Sequence, residues 1–172
     1  MNIPISQGAS FMRQNTIQAS RVTQGYVQLL IDGTDHDLWF KRPAGVPNHL
    51  AWQIGHIASS ANSGLKAIGK PSLCDEAWDK LFLRGTESSD DASIYPTVDE
   101  IIAKFHEVYA ALTETYEQAD ESVLLADSQI ERLIERFPKQ GDFLVFLLTS
   151  HLAMHAGQIS TLRKLLGLGH VM

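Results

Sequence analysis

Apolar residues recur every three to four positions in four long segments of the chain, and this spacing predicts α-helices. The first helix is expected over about 10–31, where Asp32-Gly33 provides a stop signal. The second is expected over about 48–68, with Asn48 as its N-cap and Gly69 directly after its end. No stretch has the sustained alternation of apolar and polar residues that indicates a β-strand.

The third and fourth helices have clear start signals. Thr97 and Glu100 have the spacing of a capping box, in which each side chain accepts a hydrogen bond from the other residue's backbone N–H. The helix that starts there has one apolar face, formed by Ile101, Phe105, Val108, Leu112 and Tyr116. Asp142 is the expected N-cap of the fourth helix, which ends near Gly167, and a weaker helical segment covers about 130–137.

These elements predict an all-α protein, most economically a four-helix bundle with one or two long crossover connections. The 172 residues fit a single domain spanning 1–172, which is large enough to bury a core without disulfides or a structural metal. The connection over 70–96 is long for a compact domain, so it is a candidate lid or binding loop. A short amphipathic turn over 78–83 is expected to pack it down.

Composition and charge limit the classes of partner. The net charge of −6 and the lack of a Lys/Arg cluster argue against nucleic acid, because its phosphates are bound by basic patches. No apolar run reaches the length of a membrane span and no signal peptide is evident, so a cytoplasmic location without membrane contact is expected. Cys74, the only cysteine, excludes an intrachain disulfide and a cysteine-rich zinc site, and is expected to be an ordinary loop thiol.

Two histidines, His151 and His155, lie four residues apart in the predicted fourth helix. Side chains at this spacing share a helix face, with Cβ atoms about 5–6 Å apart, so both imidazoles can bind one metal ion. They lie on an apolar stripe that also contains Leu144, Leu147, Ile159, Leu162 and Leu166. Two hydrogen-bonded core histidines would satisfy this pattern equally well, and a third ligand would distinguish the two interpretations.

Five other histidines are candidates for the third ligand. His36 lies in a turn-rich loop, His106 beside the apolar stripe of its helix and His170 near the chain end, so solvent contact is expected for all three. His49 and His56 share a face of the second helix, and His56 is the better candidate because it lies well inside that helix.

The periodicity of the second helix does not itself select His56. The aliphatic stripe of that helix points nearly the opposite way, and it is formed by Leu50, Ile54, Ile57, Ala61, Leu65 and Ile68. For His56 to reach a buried ion, the helix must be covered on two sides. Trp52, one turn before His56, is either a pocket wall or simply a core aromatic.

Three segments carry a resemblance to a known family: Asn48-His-Leu-Ala-Trp-Gln-Ile-Gly-His56-Ile-Ala, Tyr95-Pro-Thr-Val-Asp-Glu100, and His151-x3-His155-Ala-Gly-Gln158-Ile. In this order and spacing they resemble the DinB-like superfamily, also called the DinB/YfiT-like metalloenzymes. The resemblance implies a four-helix bundle in which one histidine of the second helix and a pair from the last long helix bind a divalent metal. Carried onto this chain, the ligands are His56, His151 and His155.

Such a ligand set has chemical consequences. Three neutral imidazoles leave the cation its full charge and at least one open coordination position, which distinguishes a catalytic site from a closed structural one. Zinc or nickel is the expected metal, and cobalt, iron, manganese and copper also accept imidazole. We interpret Gln158 as a hydrogen-bonding residue behind the ligands and Gly157 as a position of close helix packing.

The resemblance also implies a reaction class, because characterised members include S-transferases and isomerases that use bacillithiol, mycothiol or glutathione. In this hypothesis a metal lowers the pKa of a low-molecular-weight thiol cosubstrate, whose thiolate attacks a small electrophilic molecule. The connection over 70–96 helps to form the pocket, and no residue is identified as a general base.

Two alternatives stay open. A metal-dependent hydrolase using metal-bound water usually needs a nearby carboxylate, for which Asp75, Glu76 and Asp79 are candidates. The stretch over 143–166 contains no acidic residue, which favours thiol transfer. A non-catalytic bundle would bind metal or form a homodimer through spare apolar positions, such as Phe11, Val145 and Phe146.

Overall fold

A computed structural model describes residues 5–43 and 45–171, with the backbone alone for residues 5–9. The described residues are mostly helical and none of them forms a β-strand, so the all-α prediction is confirmed. The α-helices are α1 (Ile5–Ile31), α2 (Leu50–Ala67), α3 (Glu76–Phe82), α4 (Val98–Gln118), α5 (Glu121–Leu124), α6 (Gln140–Phe146) and α7 (Leu152–Leu165). A π-helical turn over Leu147–His151 joins α6 to α7, so Gln140–Leu165 is one continuous rod.

Several predicted boundaries are confirmed in atomic detail. Gly33 and Gly69 follow the ends of α1 and α2 with φ of +65° and +76°, a left-handed conformation that favours glycine. At the start of α4, the Thr97 N–H donates to Glu100 Oε2 at 2.8 Å and the Glu100 N–H donates to Thr97 Oγ1 at 3.3 Å. This is the reciprocal pair of a capping box.

The predicted N-cap of α2 is wrong by one residue. His49 precedes the helix with extended backbone, and its Nδ1 accepts a hydrogen bond from the Trp52 N–H at 3.0 Å. The Asn48 side chain instead accepts a hydrogen bond from Ser88 Oγ at 2.9 Å, which ties the start of α2 to the long connection. A neutral imidazole can cap a helix because its unprotonated nitrogen is an acceptor.

The chain between α4 and the last rod also differs from the prediction. The rod begins at Gln140, and Asp142 lies within its first turn, where its carboxylate accepts the Lys139 N–H at 3.0 Å. The helical segment expected over 130–137 is reduced to a 3-10 turn, Glu131–Leu133. The short helix α5 was not predicted.

Four long rods pack around one apolar core: α1, α2, α4 and Gln140–Leu165. Helix α2 contacts α4 most extensively, and α3 covers another side of α2. As a result, 14 of the 18 residues of α2 are buried. The two-sided cover that His56 requires is therefore present.

Close packing of α2 depends on residues without a side chain. A Cβ at Gly55 would overlap the ring of Phe82 at the end of α3, and a Cβ at Gly64 would lie 2.6 Å from Leu147 Cδ1. Gly157, by contrast, is exposed, and an added Cβ there would meet nothing within 4 Å. The interpretation of Gly157 as a position of close helix packing is therefore wrong.

One helix among the described residues, the rod Gln140–Leu165, is long and apolar enough to cross a membrane. Length and composition are weak criteria for a single helix, because a core helix of a soluble protein meets them too. This rod packs against α1 and α2, as core helices do.

Candidate metal centre

The structure brings together three histidines from two separate rods. His56 comes from the middle of α2, His151 from the end of the π-helical turn and His155 from the first turn of α7. One ring nitrogen of each lies within 4.8 Å of the other two. Two nitrogen ligands of a tetrahedral zinc ion are about 3.4 Å apart, so a small contraction of the cluster would accommodate one ion.

All three rings are nearly removed from solvent, with exposed fractions of 7%, 9% and 7% for His56, His151 and His155. Burial lowers the pKa of His151 to about 4 and that of His155 to about 3, and the neighbouring imidazoles act in the same direction. Burial also lowers the pKa of His56. The rings are therefore neutral at physiological pH, which is the protonation state that binds metal.

Hydrogen bonds from the surrounding protein set which nitrogen two of these rings present. His56 Nδ1 lies 2.8 Å from the carbonyl oxygen of Phe82, and His155 Nδ1 lies 2.6 Å from Gln53 Oε1. A carbonyl oxygen accepts and cannot donate, so Nδ1–H of each ring is the donor and Nε2 keeps its lone pair. This arrangement is typical of metal-binding histidines, whose second nitrogen is held by an outer acceptor.

His151 lacks such support. Its Nδ1 is buried and has no hydrogen-bond partner among the described residues. Leaving a buried polar atom unpaired costs roughly 1–3 kcal/mol. A ligand from outside the chain can offset this cost. The three rings are neutral and close together, so the cluster fits a divalent metal.

The residues around the cluster include some that the sequence did not single out. Gln53 was not predicted, yet it accepts the hydrogen bond from His155. The side chain of Gln158 raises the pKa of His155, which opposes the larger lowering by burial. Trp52 is buried and stacks on His56, with ring centroids 4.6 Å apart and planes 8° from parallel.

A cavity of about 320 Å³ opens directly onto the three histidines. Much of its wall is apolar and comes from the last rod and the connection before it, including Phe137, Phe143, Phe146 and Leu147. The connection over 70–96 contributes Leu83 and Arg84, so its expected part in the pocket is real but small. No Asp or Glu of the described chain lines this cavity.

The candidate carboxylates of the hydrolase hypothesis are engaged elsewhere. Asp75 caps α3 by accepting the Trp78 N–H at 2.8 Å, and Asp79 accepts Ser59 Oγ at 2.9 Å. Glu76 lies 3.9 Å from Lys80 on the exposed side of α3. Cys74 is buried, and burial raises its pKa to about 12, which makes it an inert thiol at neutral pH.

The remaining histidines do not join the cluster. His49 caps α2, and its other ring nitrogen lies 3.0 Å from the carbonyl oxygen of Ser89. His36, His106 and His170 are exposed, as expected.

The family model of the DinB superfamily matches residues 19–159, a span that includes all three clustered histidines. The chain belongs to the DinB superfamily. No curated protein matches the sequence. For this DinB-superfamily chain, membership accounts for the helical fold and is consistent with a histidine cluster that could hold a metal ion.

Proposed function

We propose that this protein is a metal-dependent S-transferase, in which His56, His151 and His155 hold a divalent metal and a low-molecular-weight thiol is transferred to a small electrophile. The observation that carries the proposal is the meeting of three neutral imidazoles at a largely apolar cavity without an acidic side chain. Zinc or nickel is the proposed metal, since both accept imidazole ligands.

A divalent metal at this cluster supplies positive charge that lowers the pKa of a coordinated thiol. The chain's own residues prepare the site. Phe82 and Gln53 hold His56 and His155 in the tautomer whose Nε2 carries no proton, and stacking on Trp52 restricts the ring of His56. The phenylalanines of the cavity exclude water and offer an apolar surface to the electrophile.

In the transfer, the thiol sulfur attacks an electrophilic carbon, a C–S bond forms and the bond to the leaving group breaks. The leaving group departs with the electron pair of that bond, and the thiol proton passes to solvent at the cavity mouth. Hydrolysis is less compatible with the site, because activating water usually requires a proton acceptor such as a carboxylate. No Asp or Glu among the described residues lines the cavity.

Elemental analysis of purified protein tests the metal site. We expect about one divalent ion per chain in the wild type and a large loss in His151→Ala and His155→Ala. His106→Ala is the matched control, because His106 is exposed and outside the cluster. Equal metal content in all four proteins would contradict the proposal.

Turnover assays then separate transfer from hydrolysis. Metal-loaded protein is given an electrophilic aromatic halide together with a panel of low-molecular-weight thiols, and separately ester and amide substrates without thiol. Transfer predicts halide release that requires a particular thiol. Thiol-independent ester or amide cleavage would favour the hydrolase instead, and inactivity in both assays would favour a binding protein.

The partners and location remain predictions. A homodimer would use apolar positions of the kind found at Phe11, which is 65% exposed on α1. Val145 and Phe146 are less suited to it, because both are half-buried against the core. Cytoplasmic location and the absence of nucleic-acid and membrane partners also stay expectations.

A further inference from the structure

Three arginines line the same cavity as the histidine cluster. Arg84 follows α3, two residues after the carbonyl that holds His56, and Arg132 and Arg136 come from the connection between α5 and α6. All three are exposed. Two connections that are distant in sequence thus contribute arginines to the lining of one cavity.

The other four arginines of the chain each have a protein acceptor. Arg13 and Arg163 donate to backbone carbonyl oxygens, Arg42 pairs with Asp90 at 2.6 Å, and Arg21 lies 3.9 Å from Glu117. The three cavity arginines make no side-chain hydrogen bond or ion pair with any described residue. Their donors are therefore available to a ligand in the cavity.

This local charge contrasts with the whole chain, whose net charge is −6. A cluster of like charge beside a low-dielectric wall focuses the electrostatic potential and attracts ligands of opposite sign. The guanidinium group matches a carboxylate in particular, because its planar fork donates two parallel hydrogen bonds.

We propose that Arg84, Arg132 and Arg136 bind a carboxylate of the thiol cosubstrate while its sulfur lies at the histidine cluster. The inference rests on the proposed S-transfer function and narrows it to acidic thiols. The phenylalanine wall is then left for the electrophile, which needs no charge of its own. A neutral or cationic thiol would leave the three arginines unpaired in the occupied site.

Equilibrium binding of simple thiols tests this charge preference without turnover. Protein loaded with Co²⁺ is titrated with mercaptopropionate, mercaptoethanol and cysteamine, which are similar in size and carry a negative, neutral and positive end. The thiolate-to-cobalt absorption band reports binding. We expect the wild type to bind mercaptopropionate about tenfold more tightly than mercaptoethanol, and cysteamine more weakly still.

An Arg132→Gln/Arg136→Gln double variant shows whether the arginines cause the preference. We expect its affinity for mercaptopropionate to fall about tenfold while its affinity for mercaptoethanol stays the same. If the carboxylate of mercaptopropionate instead bound the metal directly, the preference would persist in this variant. Loss of the preference therefore excludes direct chelation as its cause. Arg21→Gln is the matched control, because Arg21 lies on α1 and does not line the cavity.

The outcomes distinguish this inference from the proposed function. If every thiol produces the band and the double variant retains the wild-type affinities, the role of the arginines is overturned and thiol binding at the metal stands. If no thiol produces a band in the wild type, the proposed S-transfer function fails and this inference fails with it.

Discussion

At the scale of single residues, two rings of the histidine cluster are held by hydrogen-bond acceptors of the surrounding protein. Gln53 lies three positions before His56 on α2, yet its side chain contacts His155 on the opposite rod. Sequence spacing could not reveal this role, because most residues of α2 are buried, polar ones included, so burial does not single out Gln53. An acceptor for a ligand's second nitrogen typically changes metal affinity by about 10–100-fold.

Replacing Gln53 tests the hydrogen bond to His155. Gln53→Leu removes the acceptor at similar volume, so we expect metal affinity to fall about 10–100-fold in competition with a chromophoric chelator. Gln53→Glu keeps an acceptor oxygen and should retain or increase affinity. If both variants bind metal as the wild type does, Gln53 is only a packing residue.

The cap of α2 makes stability depend on pH. His49 is fully buried, and burial lowers its pKa from 6.5 to about 4. Between these pH values His49 binds a proton in the unfolded chain but not in the folded chain. The free energy of unfolding therefore falls as the pH falls from 6.5 to about 4. His49 contributes at most about 1.4 kcal/mol of this loss per pH unit.

His49→Asn isolates this contribution. Asparagine retains a capping acceptor but does not titrate in this range. In urea unfolding of metal-free protein across the same pH window, we expect the variant to lose less free energy of unfolding than the wild type. Parallel curves for the two proteins would show that His49 does not titrate on unfolding.

At the scale of elements, the site depends on how closely α3 approaches α2. The ring of Phe82 lies against Gly55, and the carbonyl group of the same residue holds His56. Phe82 therefore links the close approach of α2 and α3 to the orientation of the His56 ring. On the other rod, the π-helical turn ends at His151; such turns occur frequently at functional sites.

Two glycine substitutions test this linkage. Gly55→Ala must displace the Phe82 ring, so we expect a loss of about 1–3 kcal/mol in unfolding free energy and weaker metal binding. Gly157→Ala is the control, because it adds a methyl group in open space within α7 and should stabilise the protein by about 1 kcal/mol. Equal effects on metal binding in the two variants would contradict a specific role for the α2–α3 contact.

The elements differ in how much of them the sequence could predict. The capping box of α4 and the pairing of His151 with His155 are local, so spacing alone indicated them. Residue spacing did not select His56, because the aliphatic stripe of α2 marks only one of its buried faces and His56 lies on another. The arginines at the cavity depend on how two distant connections fold back, which no local pattern encodes.

At the scale of the whole molecule, the apolar core is formed apart from the histidine cluster. One cluster of buried apolar residues joins all four rods, and its largest members, such as Trp39 and Tyr109, lie outside the histidine cluster. A chain of this size buries enough surface to fold without a structural ion. Metal is thus expected to add stability to a fold that already exists.

Thermal unfolding with and without a chelator tests this separation. We expect metal-free protein to keep its helical circular dichroism, and a metal at about a hundred times its Kd to raise Tm by about 5–10 °C. His151→Ala should lose the increase and keep the fold. Collapse of the helical signal on chelation would instead indicate a structural site.

The hydrogen-bond acceptor for His56 Nδ1 is the backbone carbonyl oxygen of Phe82. No side-chain substitution at Phe82 can remove that oxygen. A shift of the backbone at Phe82, by contrast, moves the acceptor and changes its hydrogen bond to the imidazole. The next two residues, Leu83 and Arg84, already form part of the cavity wall. A molecule that displaced this part of the wall on binding would therefore also shift the hydrogen bond that orients the His56 ring.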